Sequence, residues 1–395
     1  MGRLSWAELD GIKRQHGVDT LWSWSRIHCF QVSPFEYLLK YIQHVKEDRN
    51  DCIYATMGGL SHDIIEKFYS GKIKYEDMIN EFYDGWAVHR EISNLKFDRN
   101  DDGHDEQIAA KYYFDLKHFF QNHSVLRYKP VLEQFVTANI GGNVLQGYID
   151  CCFKDDDGCY NIIDWKTSTI YKGSKAEEEC GQLVIYAIAL HQMGVPFDKL
   201  KIAWNFLKFC NVEYMQKNGA VKTREIERCK IGESLKSNAR IWLKNAGYDN
   251  DDIEMYISNL TDTNELSALP KEVQKKYKVS DCYVYVPLTK ELIDRWYNEV
   301  NDTIKDIVSK EKMYRSTHDE NIWWDDEESI KKESYYFSTL CGYSANLHKP
   351  YKQYLNAIGV TDSFYNDTQN NKTSESDVKS VQIDSDDLSW LNDIL

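Results

Sequence analysis

Apolar residues recur three and four positions apart over 34–47, 53–69, 75–94, 106–122, 177–193, 270–277 and 291–311, the spacing of helices that bury one face. Between 122 and 177 the chain turns β-rich instead. Two runs there each end in a carboxylate, Asp150 and Asp164, and are separated by Asp155-Asp156-Asp157-Gly158, a composition suited to a hairpin turn. Residues 200–209 alternate as a strand. Val212 to Gln216 and Val221 to Arg228 then flank Asn218-Gly219 as a second hairpin. The pattern predicts an α/β fold with a mixed sheet over 129–210, helical regions at 1–128 and 281–360, and a hairpin–helix insertion at 211–280. No internal repeat is evident.

The last part of the chain changes character. From Thr361 onward polar residues dominate, a composition that buries too little surface to fold, so 361–395 reads as a linker with a tail. Leu388, Trp390, Leu391, Ile394 and Leu395 suit a short amphipathic helix at 384–395. It is expected either to dock on a replication or recombination protein or to pack on its own domain.

The candidate chemistry sits on the two β-rich runs. Side chains in a strand alternate, so Asp164 and Lys166 share a face while Trp165 points away. A hairpin would bring Asp150 towards Asp164, and paired carboxylates suit a hard divalent cation. A lysine beside them can position a water or stabilise charge on a phosphate in flight. Asp-x-Lys alone is a trivial tripeptide, common at strand ends. Its company matters more: on the following helix Gln182 and Tyr186 stand four apart and so share a face.

These pieces resemble the PD-(D/E)xK nuclease superfamily, and within it the RecB-type exonuclease branch that includes AddB and the CRISPR-associated four-cysteine nucleases. The resemblance rests on Gly147-Tyr148-Ile149-Asp150, Ile163-Asp164-Trp165-Lys166-Thr167 and Gln182-Leu-Val-Ile-Tyr186 in the family's order. Gly58-Gly-Leu-Ser-His62 leads a helix like the family's histidine-bearing one, and Glu133 opens a strand where the family often has glutamate. The likeness covers roughly 23–209, with a looser echo near 335–351. It implies a restriction-endonuclease-like αβββαβ core with large helical elaborations. It also implies Mg²⁺ or Mn²⁺ held by His62, Asp150, Asp164 and the Trp165 carbonyl. Lys166 would position and activate the attacking water, and Gln182 and Tyr186 would touch DNA near the scissile phosphate. Glu66, one turn beyond His62, would either orient the site or face solvent.

Many relatives hold an iron–sulfur cluster through one early and three late cysteines. Here Ser33 stands in the early position, with Cys29 nearby. The late region retains Cys341, with Ser338, Leu347 and His348 where others would lie. A cluster needs about four thiolates, so no iron–sulfur cluster is expected. The ten cysteines form no Cys-x-x-Cys pair, which fits free thiols in a reducing compartment. No secretory leader or membrane-length apolar run is apparent. A soluble, cytoplasmic protein without membrane association is expected.

A net charge of −15 is unusual for a DNA enzyme. The charge is uneven, however: Lys199 to Lys244 carries eleven basic and four acidic residues. Arg224, Arg228, Lys230 and Arg240 on this hairpin and helix form a candidate DNA path, with Trp204, Tyr214 and Trp242 available for stacking, although Trp204 and Trp242 also suit a core. The reading is a metal-dependent deoxyribonuclease acting as an exonuclease. The alternatives are an endonuclease, or a nuclease-fold subunit that holds DNA or a partner with little catalysis.

Overall fold

Seven runs, most of them rich in β-branched and aromatic residues, form one mixed sheet in the computed structural model, which describes residues 3–47, 52–98 and 101–343. They are β1 Leu21–Ser23, β2 Val131–Ile140, β3 Asn143–Lys154, β4 Tyr160–Lys166, β5 Leu200–Met215, β6 Val221–Glu227 and β7 Tyr277–Val286. The tail expected at 361–395 lies outside the described residues. No helix among the described residues is long and apolar enough to cross a membrane.

β3 is long enough to take two neighbours on one edge. β2 runs antiparallel along one side of it, while on the other β1 pairs in parallel with 144–146 and β4 pairs antiparallel with 151–154. The gap between those two pairings falls at Asp150. Side-chain alternation also inverts there: Leu145 and Ile149 enter one core, Cys151 and Phe153 the other. β5 repeats the device, pairing in parallel with β4 and then antiparallel with β6, with β7 along its other edge.

The sheet is sandwiched. On one side Ile27, Leu183, Ile188, Trp296 and Val300 bring in the helices Trp24–Val32, Gly181–Gln192 and Lys290–Thr317. On the other, Ile64, Ile65, Phe82 and Phe119 bring in Tyr54–Tyr69, Met78–Trp86 and Asp102–Asn122. Burial of a large apolar side chain contributes about 1.5–3 kcal/mol, and these two layers hold the strands at fixed register.

Three elements differ from the sequence reading. The pattern over 177–193 suggested one amphipathic helix; instead a short helix Ser174–Glu179 precedes Gly181–Gln192, in which every residue from Leu183 to Leu190 is buried. That helix lies between the sheet and Lys290–Thr317, so both its faces are covered. The strand and the first hairpin arm expected on either side of Asn211 are one 16-residue strand, β5. The helix expected at 270–277 shrinks to Lys271–Gln274, and Tyr277 instead begins β7.

Candidate active site

The hairpin of β3 and β4 turns through Asp155–Gly158. Asp155 Oδ1 accepts from the amides of Asp157 and Cys159 at 3.1 and 2.9 Å, and Gly158 supplies the positive φ that the turn requires. The ladder then runs from Lys154–Tyr160 to Cys151–Ile163 and stops one rung short of Asp150 and Asp164. In place of that rung Asp150 Oδ2 accepts the Trp165 amide at 3.0 Å. The same rung is missing on the β2 side, where Glu133, with φ +46°, stands across from Asp150 while register is kept at Leu132 and Gln134. The sheet is therefore open on both sides of one carboxylate.

His62 closes over this opening from the helix Tyr54–Tyr69. Its Nε2 lies 2.9 Å from the Trp165 carbonyl oxygen and its Nδ1 3.6 Å from Asp150 Oδ2. Its ring meets the Trp165 indole edge-on, and that indole is buried in the core beneath. Ligand atoms of His62, Glu133 and Asp150 all lie within 4.8 Å of one another. Glu66, one turn along the helix, turns towards Lys72 at 3.7 Å.

Asp164 is 3% exposed. Lys166 Nζ sits 2.8 Å from its Oδ2 at an angle that makes an ion pair but leaves the oxygen without a hydrogen bond. Burial works against the charge on Lys166, yet Asp164 and Asp150 outweigh it and hold the ammonium above its usual range. Asp150 is pushed up to about 6, first by burial and then by Asp164, against the opposing pull of His62 and Lys166. Burial also raises Glu133. Such a site gains from a cation: carboxylates whose charge costs free energy, an imidazole and a carbonyl make an oxygen-rich donor set for a divalent metal. The residues present fit Mg²⁺ or Mn²⁺.

Gln182 and Tyr186 border the site from the helix Gly181–Gln192, with Gln182 Nε2 donating to Tyr186 Oη at 2.9 Å. Gly147 makes room for them. A Cβ there would come within 2.5 Å of the Tyr186 ring, so only glycine lets the tyrosine lie on β3. On the far side the Tyr112 hydroxyl donates to the Thr167 carbonyl at 3.0 Å and ties down the chain beyond Lys166.

The structure thus brings His62, Asp150, Asp164, Trp165, Lys166, Gln182 and Tyr186 together. The compact donor group is His62, Glu133 and Asp150; Asp164, read from the sequence as a ligand, falls outside it and pairs with Lys166 at 2.8 Å, and Glu133 was absent from the metal set read from the sequence. Its signal was its place one strand before Asp150; nothing in the sequence shows its backbone turning into the left-handed region.

One member of the basic path is not at the surface. Arg228 is 0% exposed, donating to Asp281 Oδ1 at 2.6 Å and lying 3.1 Å from His118 Nδ1 over the Phe119 ring. It is a buried structural charge and does not reach DNA. Arg240 is engaged by Glu254, and Lys230 by Glu227 at 2.5 Å. Arg224 remains exposed on β6. Trp204 is core, and the Trp242 indole N–H donates to the Met215 carbonyl at 2.9 Å, so neither is an open stacking platform.

Ser33, which stands at the early cysteine position read from the sequence, donates through Oγ to Asp325 Oδ2 at 2.8 Å and accepts from the Glu36 amide at 3.0 Å. Cys341 Sγ donates to Glu36 Oε2 at 3.5 Å. Burial raises the Cys29 and Cys341 thiols well above their ordinary range. Leu347 and His348, and the side chain of Ser338, lie outside what is described.

A family model for the PD-(D/E)XK nuclease superfamily matches residues 21–318. No curated protein matches the chain.

Proposed function

Because the chain belongs to the PD-(D/E)XK nuclease superfamily, we propose that it is a divalent-metal-dependent deoxyribonuclease, an exonuclease serving recombination, repair or viral genome processing. The observation that carries the reading is the convergence of Asp150, Asp164 and Lys166 at the break in the sheet, faced by His62 and Glu133.

His62, Glu133, Asp150, Asp164 and the Trp165 carbonyl would hold Mg²⁺ or Mn²⁺, which when bound supplies Lewis-acid stabilisation of charge on the phosphate. In the metal-free site Lys166 is held charged by its carboxylate neighbours, so there it donates hydrogen bonds. Its part is to position the water and to offset charge on a phosphate oxygen. The buried Tyr186 stays a neutral phenol, since burial raises it far beyond the physiological range. It and Gln182 orient the DNA strand without adding charge. Exonuclease action follows from the likeness of the ordered motifs to the RecB-type branch, and from nothing further.

DNA labelled at the 5′ or the 3′ end, single- or double-stranded, with Mg²⁺, Mn²⁺ or EDTA, tests the reading. Metal-dependent release of short labelled products from linear but not circular DNA is expected. Cutting of circles would replace exonuclease by endonuclease. Binding without cleavage under every metal would favour a nuclease-fold subunit.

A further inference from the structure

A second cluster lies away from the site above, where the helix Asp102–Asn122 meets the end of β6 and the turn Arg228–Lys230. Asp115, Glu227 and Cys229 come from these three elements, and one ligand atom of each lies within 4.8 Å of the others. Asp115 is 1% exposed. Its Oδ1 accepts the Cys229 amide at 2.7 Å, which explains why an aspartate can be buried at all. Its Oδ2 is closed off from solvent and makes no hydrogen bond; the Cys229 thiol interacts with the carboxylate without satisfying that oxygen. A buried carboxylate oxygen without a partner is destabilising. A cation would remove that cost.

We propose that Asp115, Glu227 and Cys229 bind a thiophilic divalent cation of the zinc class, with water completing its coordination, separately from the catalytic metal. One thiolate and two carboxylates suit zinc and exclude magnesium, which rarely accepts sulfur. Without the cation, burial pushes Asp115 up to about 7 and Cys229 up to about 12, the thiol being raised also by the neighbouring carboxylates. Cys229 binds as a thiolate, so uptake of the ion releases the thiol proton and any proton held by Asp115. Two lysines compete for Glu227: Lys111 at 3.6 Å and Lys230 at 2.5 Å. Both side chains are more than half exposed, so they can turn to solvent when the ion arrives. Lys208, whose own charge burial disfavours, lies over the Tyr112 ring and supplies only partial compensation to Asp115.

The location gives the ion a role. Tyr112, one turn before Asp115, holds the Thr167 carbonyl just beyond Lys166. A cation at Asp115 would brace this helix against the β6 corner and so steady the end of the catalytic strand.

Cobalt is the probe. Full-length protein stripped with EDTA and dialysed against Co²⁺ should show a near-ultraviolet thiolate-to-cobalt band and bind one more cobalt per chain than Cys229→Ser. The band should vanish in Cys229→Ser, weaken in Glu227→Gln, and persist in Asp150→Asn, which alters only the catalytic site. That last arm separates this proposal from the nuclease reading, since either can fail alone. Bound cobalt with no thiolate band, a band that survives Cys229→Ser, or indifference to Glu227→Gln would overturn it.

Discussion

Asp150 Oδ2 accepts the Trp165 backbone amide at 3.0 Å, in the place where the β3–β4 ladder would otherwise continue. One hydrogen bond therefore does two things. It satisfies an amide left over where the strands part, and it fixes Asp150 beside Asp164. Removing Lys166 should leave this scaffold intact while removing charge stabilisation at the phosphate. Lys166→Ala is expected to lower the cleavage rate about 10²–10³-fold, with DNA binding and melting temperature little changed. Near-wild-type turnover in a metal-supplemented assay would show that the lysine plays no part.

His118 offers a pH signature independent of catalysis. It is pulled down to about 3 by burial first and then by Arg228, whose Nη1 lies 3.1 Å from its Nδ1. The unfolded imidazole titrates near 6.5, so between those values the unfolded chain binds more protons than the folded one. This contribution to stability is present above the unfolded value and is lost as pH falls towards 3. Its full size is on the order of a few kcal/mol at about 1.4 kcal/mol per unit. His118→Gln should cost some stability at neutral pH yet flatten the decline between pH 6.5 and 4 in urea titrations. An unchanged slope would place the acid sensitivity elsewhere.

Arg228 and Arg224 should behave in opposite ways. Arg228→Ala strands Asp281 in the interior with only the His123 and Ser124 contacts left. Loss of about 3–5 kcal/mol is expected, seen as a large drop in melting temperature without a specific change in DNA affinity. Arg224→Ala should leave stability alone. If this arginine meets phosphate, the substitution will reduce the salt dependence of DNA binding by about one ion.

The same pair shows what the sequence could and could not convey. Asp150, Asp164, Lys166, Gln182, Tyr186 and His62 were legible because each belongs to an ordered local motif, and the structure brings them to one opening. Arg228 was not. A basic residue in a basic segment looks solvent-facing until its partner Asp281 is known, and that partner lies 53 positions away. For the same reason β7 went unread. Its alternation is interrupted by Asp281, a polar residue on an inward position that its distant partners Arg228 and His123 justify. The continuity of β5 was hidden by Asn211, which looked like a loop residue, although the ladder passes through it to both β6 and β7. The buried helix Gly181–Gln192 shows almost no polar face, so periodicity could not fix its limits.

Glu133 carries the last prediction, because its backbone and its side chain pull in different directions. Its φ of +46° is the left-handed region that a non-glycine residue adopts at a cost of about 1–2 kcal/mol. It places the carboxylate within 4.8 Å of ligand atoms on Asp150 and His62. If metal binding is what the strain supports, Glu133→Gly should relax the backbone and raise the stability of the metal-free protein by up to about 1 kcal/mol. The same substitution should weaken Mn²⁺ binding and cleavage. Glu133→Gln keeps the side-chain size and the strain but not the charge, so it should lose metal affinity without the gain in stability. Paired melting curves and Mn²⁺ titrations by calorimetry separate the two effects. Equal Mn²⁺ affinity in all three proteins would remove Glu133 from the metal site and leave its backbone conformation a purely structural feature of the β2–β3 pairing.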